Sequence, residues 1–141
     1  MKPRLSVITL GVDDLPRALA FYRDGLGLAT EGIVGTQYAH GAVAFFELQA
    51  GLKLALWPRA SMAADAGLPV GARSATEVAL AHNVASAAEV DAVLERARAA
   101  GATVLREPGP AFWGGWTALF QDPDGHLWEI AYNPKWPLPE D

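Results

Sequence analysis

The sequence contains no cysteine, which removes disulfides, thiolate zinc sites, iron–sulfur clusters and thiol nucleophiles together. Long apolar runs are missing too. Although 51% of the 141 residues are hydrophobic, the longest runs, such as the one around Val43–Leu48, fall far short of the ~18 residues that span a bilayer. The N-terminal MKPRLS carries no secretory apolar segment, so a soluble, cytoplasmic protein without a membrane partner is the expectation. Clustered positive charge is scarce. The net charge is −5, and the 11 Lys and Arg residues are scattered except at Arg96 and Arg98, which sit beside Glu95 and read as a solvated helix face. Nucleic acid is therefore not an expected partner, because phosphate neutralisation needs grouped cations. There is no GxSxG, and Ser6, Ser61, Ser74 and Ser86 fall in terminal, loop or cap contexts, so no nucleophile–base pair is visible.

What the sequence does hold is a repeated order of elements. Residues 5–12 (LSVITLGV) predict a strand, and 13–28 (DDLPRALAFYRDGLGL) predict a helix. Asp13 or Asp14 serves as cap, Pro16 lies in the first turn, and Leu15, Ala18, Leu19 and Tyr22 form one apolar face. Three strand-like runs follow at about 29–35, 42–49 and 52–57. Residues 58–74, rich in Ala, Gly and Pro, show no convincing apolar stripe and read as a linker. The order then recurs. A strand is expected over 76–84 and a helix over 86–101, with Ser86 and Glu89 in capping-box spacing and Val90, Val93, Leu94 and Ala97 on one stripe. Further strands are expected at 103–106, 116–121 and 127–132, the last pair joined by Asp122-Pro123-Asp124-Gly125. Val12 matches Val84, and Gly51 matches Gly125 at nearly the same offset, which supports an internal duplication.

The expected fold class is α+β: one domain over 1–141, made of a βαβββ module at about 4–58, the linker at 59–74, a second βαβββ module at 75–134 and a C-terminal tail. Three stretches, GVDDLPRALAFYRDGLGL, AAGATVLREPGP (99–110) and DPDGHLWEI (122–130), cover nearly the whole chain, and on them the sequence resembles the vicinal oxygen chelate superfamily. That superfamily includes glyoxalase I, bleomycin-resistance proteins, extradiol dioxygenases and fosfomycin-resistance enzymes. The resemblance implies curled mixed sheets forming a cup, helices on the convex side, a small-molecule ligand on the concave side, and a homodimer. It leaves open whether modules pair within a chain or between chains.

Metal-dependent members of that superfamily place a ligand, usually His, Gln or Glu, on the first and fourth strand of each module. Carried over residue by residue, those four positions are Val7, Ala55, Ala79 and Glu129. Three are aliphatic, and a slip of one residue on any of those three strands, which would expose the opposite face, supplies no good donor either. A divalent cation held by one carboxylate and water would bind weakly. No cofactor is therefore expected, with a divalent metal disfavoured. The three histidines do not rebuild a site: His126 lies three residues from Glu129 and His82 three from Ala79, so both fall on the opposite strand face, and His40 sits near a turn.

Glu129 remains the candidate catalytic residue. A carboxylate without a cation partner in a dry cup can carry a proton near neutrality. It can equally anchor a polar group of a ligand, or stay ionised by pairing with Lys53 across the cup. Lys53, Ala55 and Trp57 share one strand parity and are expected to look inward with Val7 and Ala79. Trp113 and Trp116 flank two glycines in FWGGW, where two indoles would offer stacking surface to a flat ligand or else close the core or a dimer interface. The expected product is a metal-independent binding protein for an apolar or aromatic molecule, with resistance by sequestration as one purpose. The competing expectation is a glyoxalase-style lyase or isomerase using Glu129 for proton transfer, with or without a metal.

Overall fold

A computed structural model describes residues 1–139; the last two residues of the expected tail lie outside them. The fold is α+β and is built from two βαβββ modules, with the boundary between Ala72 and Arg73. In module 1 the elements are β1 (Val7–Val12), α1 (Leu15–Ala20), β2 (Thr30–Val34), β3 (Val43–Glu47), β4 (Lys53–Pro58) and α2 (Arg59–Ala66). In module 2 they are β5 (Ala79–Asn83), α3 (Ala87–Ala99), β6 (Thr103–Pro110), β7 (Trp116–Gln121) and β8 (Leu127–Tyr132). The sheets share one topology, β1-β4-β3-β2 and β5-β8-β7-β6, in which the first and last strands of each module are parallel neighbours and the other pairs antiparallel. Among the described residues no helix is long and apolar enough to cross a membrane.

Each module buries one face of its sheet under a helix. In module 1, Asp14 caps α1 by accepting from the Arg17 amide at 3.0 Å, and one π-type turn over Phe21–Gly25 prolongs the helix. Leu15, Ala18, Leu19 and Tyr22 then pack toward Leu10, Val12, Phe46, Leu54 and Leu56, with Tyr22 and Phe46 ring centroids 5.9 Å apart. Burying Phe46 completely contributes about 2–3 kcal/mol. In module 2 the capping box forms: the Ser86 hydroxyl accepts from the Glu89 amide at 3.2 Å, and Glu89 accepts from the Ala85 amide at 2.6 Å. Val90, Leu94 and Ala97 are buried on the same side as Ala118, Phe120 and Ile130, and Trp128 stacks on Phe120 at 6.2 Å.

The DPDG turn is a framework of hydrogen bonds. Asp122 Oδ1 accepts from the amides of Asp124 and His126 at 2.9 and 2.8 Å, and Gly125 takes the left-handed backbone (φ 88°) that closes the turn. Arg73 lies 3.5 Å from Asp124 Oδ1, so both acids of the motif are committed to structure.

Two expectations change. The segment read as a linker carries α2, whose run of alanines has high helix propensity and which ends at Gly67 in a left-handed cap (φ 68°). Its single-faced apolar stripe is weak because it docks through few side chains: a Cβ on Gly11 would sit 2.9 Å from Arg59 Cγ and 3.3 Å from Met62 Sδ. Strand β6 also runs on to Pro110 rather than ending at 106, through two register shifts that interrupt its alternation. In the tail, Trp136 is 67% exposed.

Candidate functional site

The face of each sheet turned away from its helix, its open face, carries the four transferred positions: Val7 and Ala79 are exposed there, Glu129 is half-buried and Ala55 is buried. In module 2, Trp116 donates from Nε1 to Asp91 Oδ1 on α3 at 2.9 Å, which fixes Trp116, Ala118 and Phe120 to the helix side and leaves Thr117, Leu119 and Gln121 on the open side. Leu119 stands opposite Glu129, and Glu129 stands beside Ala81, so Glu129 faces outward while Trp128 and Ile130 face the helix. Ala79 shares that open face with Glu129, as expected. Trp116 does not. The reading of FWGGW as a pair of stacking indoles is thereby corrected: alternate residues of β7 face opposite sides, and a hydrogen bond to α3 claims Trp116.

Trp113 sits at the tip of the β6–β7 hairpin, where Ala111 donates to Gly115 at 2.8 Å and Gly114 donates to Ala111 at 3.0 Å. Its ring lies so close against Gly115 that a Cβ there would collide with the indole and with the Tyr132 carbonyl. The indole is 38% exposed, and neighbouring Phe112 is fully exposed.

A residue that sequence reasoning missed completes this face. Arg106 stands opposite Leu119 on β7, and one of its guanidinium nitrogens, Nη2, donates to Thr117 Oγ1 at 2.5 Å. Strict alternation from Val104, which pairs with Phe120 on the helix side, would have put Arg106 on the helix side as well. A bulge between the two residues inserts one position and turns Arg106 to the open face. The next residue, Glu107, points back to the helix, where both its carboxylate oxygens lie 2.7 Å from Arg98 Nη2. That bond is the leading cause that raises the Arg98 guanidinium further above its ordinary value. One row across the sheet therefore reads Arg106, Leu119, Glu129, Ala81.

In module 1 the open face carries Val7, Thr9 and Gly11 from β1, Lys53, Ala55 and Trp57 from β4, and Phe45 and Glu47 from β3. Lys53, one alternative partner for Glu129, pairs within its own module: Lys53 Nζ is 3.0 Å from Glu47 Oε1 on the adjacent strand and lies 5.9 Å over the Phe45 ring. A groove of about 390 Å³ is lined by these three side chains together with Thr30, Glu31 and Gly32. At the other end of the face, Trp57 donates to the His40 carbonyl at 2.9 Å, and α2 covers Gly11.

The donors do not suit a divalent metal. Val7, Ala55 and Ala79 offer no lone pair, and among the described residues no group of three or more His, Asp or Glu side chains comes together. His82 pairs with Ile130 in the register and so faces the helix side, away from Glu129, while His40 Nδ1 lies 3.3 Å from Ser61 Oγ within module 1.

Comparison with known proteins agrees with this architecture. The Glyoxalase/Bleomycin resistance protein/Dioxygenase superfamily matches residues 4–130. A glyoxalase-related enzyme from Fulvimarina pelagi is 36% identical, with a TM-score of 0.83 over 99% of this chain and 94% of that one. The genomically encoded fosfomycin resistance protein FosX from Listeria monocytogenes is 26% identical, with a TM-score of 0.69 over 96% of this chain and 97% of that one. A lactoylglutathione lyase from Agrobacterium tumefaciens, 24% identical with a TM-score of 0.69 over 99% and 100% of the two chains, shares the fold. No curated protein matches the sequence.

Proposed function

Because this chain belongs to the glyoxalase/bleomycin resistance protein/dioxygenase superfamily, we propose that it binds a small, partly apolar molecule on its open sheet faces without a metal. One observation carries the reading. Where chelating relatives place four donors, this chain has Val7, Ala55 and Ala79, and only Glu129 keeps a lone pair. A single carboxylate cannot hold a hard divalent ion that needs six or so oxygens, nor a transition metal that wants nitrogen. It can still accept a hydrogen bond from a ligand. Apolar surface at Leu119 and Ala79, on the same sheet face of module 2, supplies the rest of the contact. Sequestration of a toxic compound is one purpose such binding would serve, and the likeness to a fosfomycin resistance protein supports it.

The test combines two measurements on protein purified without chelator. Elemental analysis is expected to find metal well below one equivalent per chain. Titration with a panel of aromatic metabolites and antibiotics, followed by tryptophan fluorescence, is expected to show saturable quenching that weakens about tenfold in Glu129→Gln, the usual effect of losing one charged hydrogen bond. One equivalent of zinc, nickel, iron or manganese would overturn the reading.

A second reading, proton transfer by Glu129 in a lyase or isomerase, is favoured by the position of that carboxylate beside apolar neighbours and by the likeness to a glyoxalase-related enzyme. Turnover by metal-free protein that disappears in Glu129→Gln would support it. A homodimer is part of the proposal, and light scattering of the purified protein checks it.

A further inference from the structure

We propose that Arg106 is the anion-docking group of module 2, and that the ligand of this face is a small organic carboxylate bearing an amine or hydroxyl at its far end, received by Glu129. The inference rests on the reading that the open face of module 2 binds a small molecule.

Four observations support it. The bulge between Val104 and Arg106 exists in both modules as a register shift, but the corresponding shift of module 1, between Thr30 and Ile33, carries Gly32 with a left-handed backbone (φ 87°). The fold thus builds this bulge without a cation, so the bulge itself does not call for an arginine. Second, Arg106 is held but not neutralised. Its Nη2 donates to the buried hydroxyl of Thr117, and among the described residues no carboxylate lies within ion-pairing distance of it. Arg23, Arg73 and Arg98, by contrast, sit against Asp24, Asp124 and Glu107. A guanidinium has five N–H donors in a planar fork, so one bond to Thr117 fixes its orientation and leaves an edge for two oxygens of a carboxylate.

Third, the adjacent acid is turned away: Glu107 faces α3 and is bound by Arg98, so alternation along β6 separates the cation from the carboxylate that would quench it. Fourth, Arg106 and Glu129 both stand opposite Leu119, two strand spacings apart, or roughly 10 Å between Cα atoms. Opposite charges at that separation, with an apolar side chain between them, match a molecule with an anionic end, an apolar body and a hydrogen-bond-donating end. An isolated salt bridge would have drawn the two side chains together instead.

The probe is 4-(aminomethyl)benzoate, compared with its methyl ester and with benzylamine, in calorimetric titrations of the full chain. The acid is expected to bind at least tenfold tighter than the ester, and that preference is expected to shrink as ionic strength rises. Arg106→Gln is expected to bind acid and ester equally, Arg106→Lys to restore part of the preference, and Glu129→Gln to keep the preference for acid over ester while weakening both. Equal binding of acid and ester by the wild-type protein would overturn the role of Arg106 and leave the binding reading standing. So would an undiminished preference in a folded Arg106→Gln. If the acid, the ester, benzylamine and the aromatic panel all fail to bind, the binding reading falls and takes this inference with it. The wild-type acid-to-ester ratio decides the matter even if a variant does not fold.

Discussion

Arg106 and Glu129 face the same side of the second sheet, each standing opposite Leu119 across an antiparallel pair. A cation and an anion are thus held at opposite sides of one leucine, on a face where the other transferred position of this module, Ala79, is aliphatic. In module 1 the residues at the same level are Phe45 and Ala55, and the charged pair of that face, Lys53 with Glu47, lies one row away in direct contact on adjacent strands.

If metal binding was lost through the donors and not through the backbone, a donor restored on the right face should bring some of it back. Ala79 and Glu129 share the open face of module 2, one diagonal step apart on parallel strands. Ala79→His is expected to bind zinc at least tenfold tighter than the wild-type protein in a competition titration with a chromogenic chelator, and Glu129→Gln in that background is expected to abolish the gain.

The DPDG turn should be a stability element and not a catalytic one. Asp122→Ala removes the acceptor of two buried or half-buried amides, those of Asp124 and His126. The expected loss is about 2–3 kcal/mol, read as a lower urea midpoint with an unchanged slope. Asp122→Asn, which keeps one acceptor oxygen, should lose less.

Gly115 is expected to be intolerant for a packing reason. A methyl group there meets the Trp113 indole and the Tyr132 carbonyl, so Gly115→Ala must displace the ring and strain the hairpin. A cost of about 1–3 kcal/mol is expected from thermal unfolding, as for other overpacked sites. Adding Trp113→Ala should recover part of it, because the ring is one of the two obstacles, while the carbonyl is the other.

Where strand and helix signals were local, the sequence was legible. The Asp14 and Ser86 caps, the apolar stripe of α3, the bounds of β7 and β8, and the DPDG turn all follow from side chains acting on backbone within four residues. The family resemblance singled out Val7, Ala55, Ala79 and Glu129, and strand parity, a strictly local property, puts Val7 with Ala55 and Ala79 with Glu129 on one face of each sheet. Other features needed partners distant in the chain. Whether α2 forms depends on a surface at Gly11 for it to rest on, which lies some fifty residues earlier in the sequence.

The sequence by itself therefore determined the order of elements, their repetition and the identity of the side chains at the four positions to which the family resemblance points. Tertiary structure alone decided that Trp116 turns to Asp91, that Lys53 turns to Glu47, and that Arg106 joins the face of Glu129. Trp116 and Lys53 find partners that only folding brings near, and for Arg106 the physical reason is a shift in register. Alternation has a period of two only while both strands advance together, and one extra residue in β6, fixed by pairing with β7, reverses every side chain beyond it until the next shift.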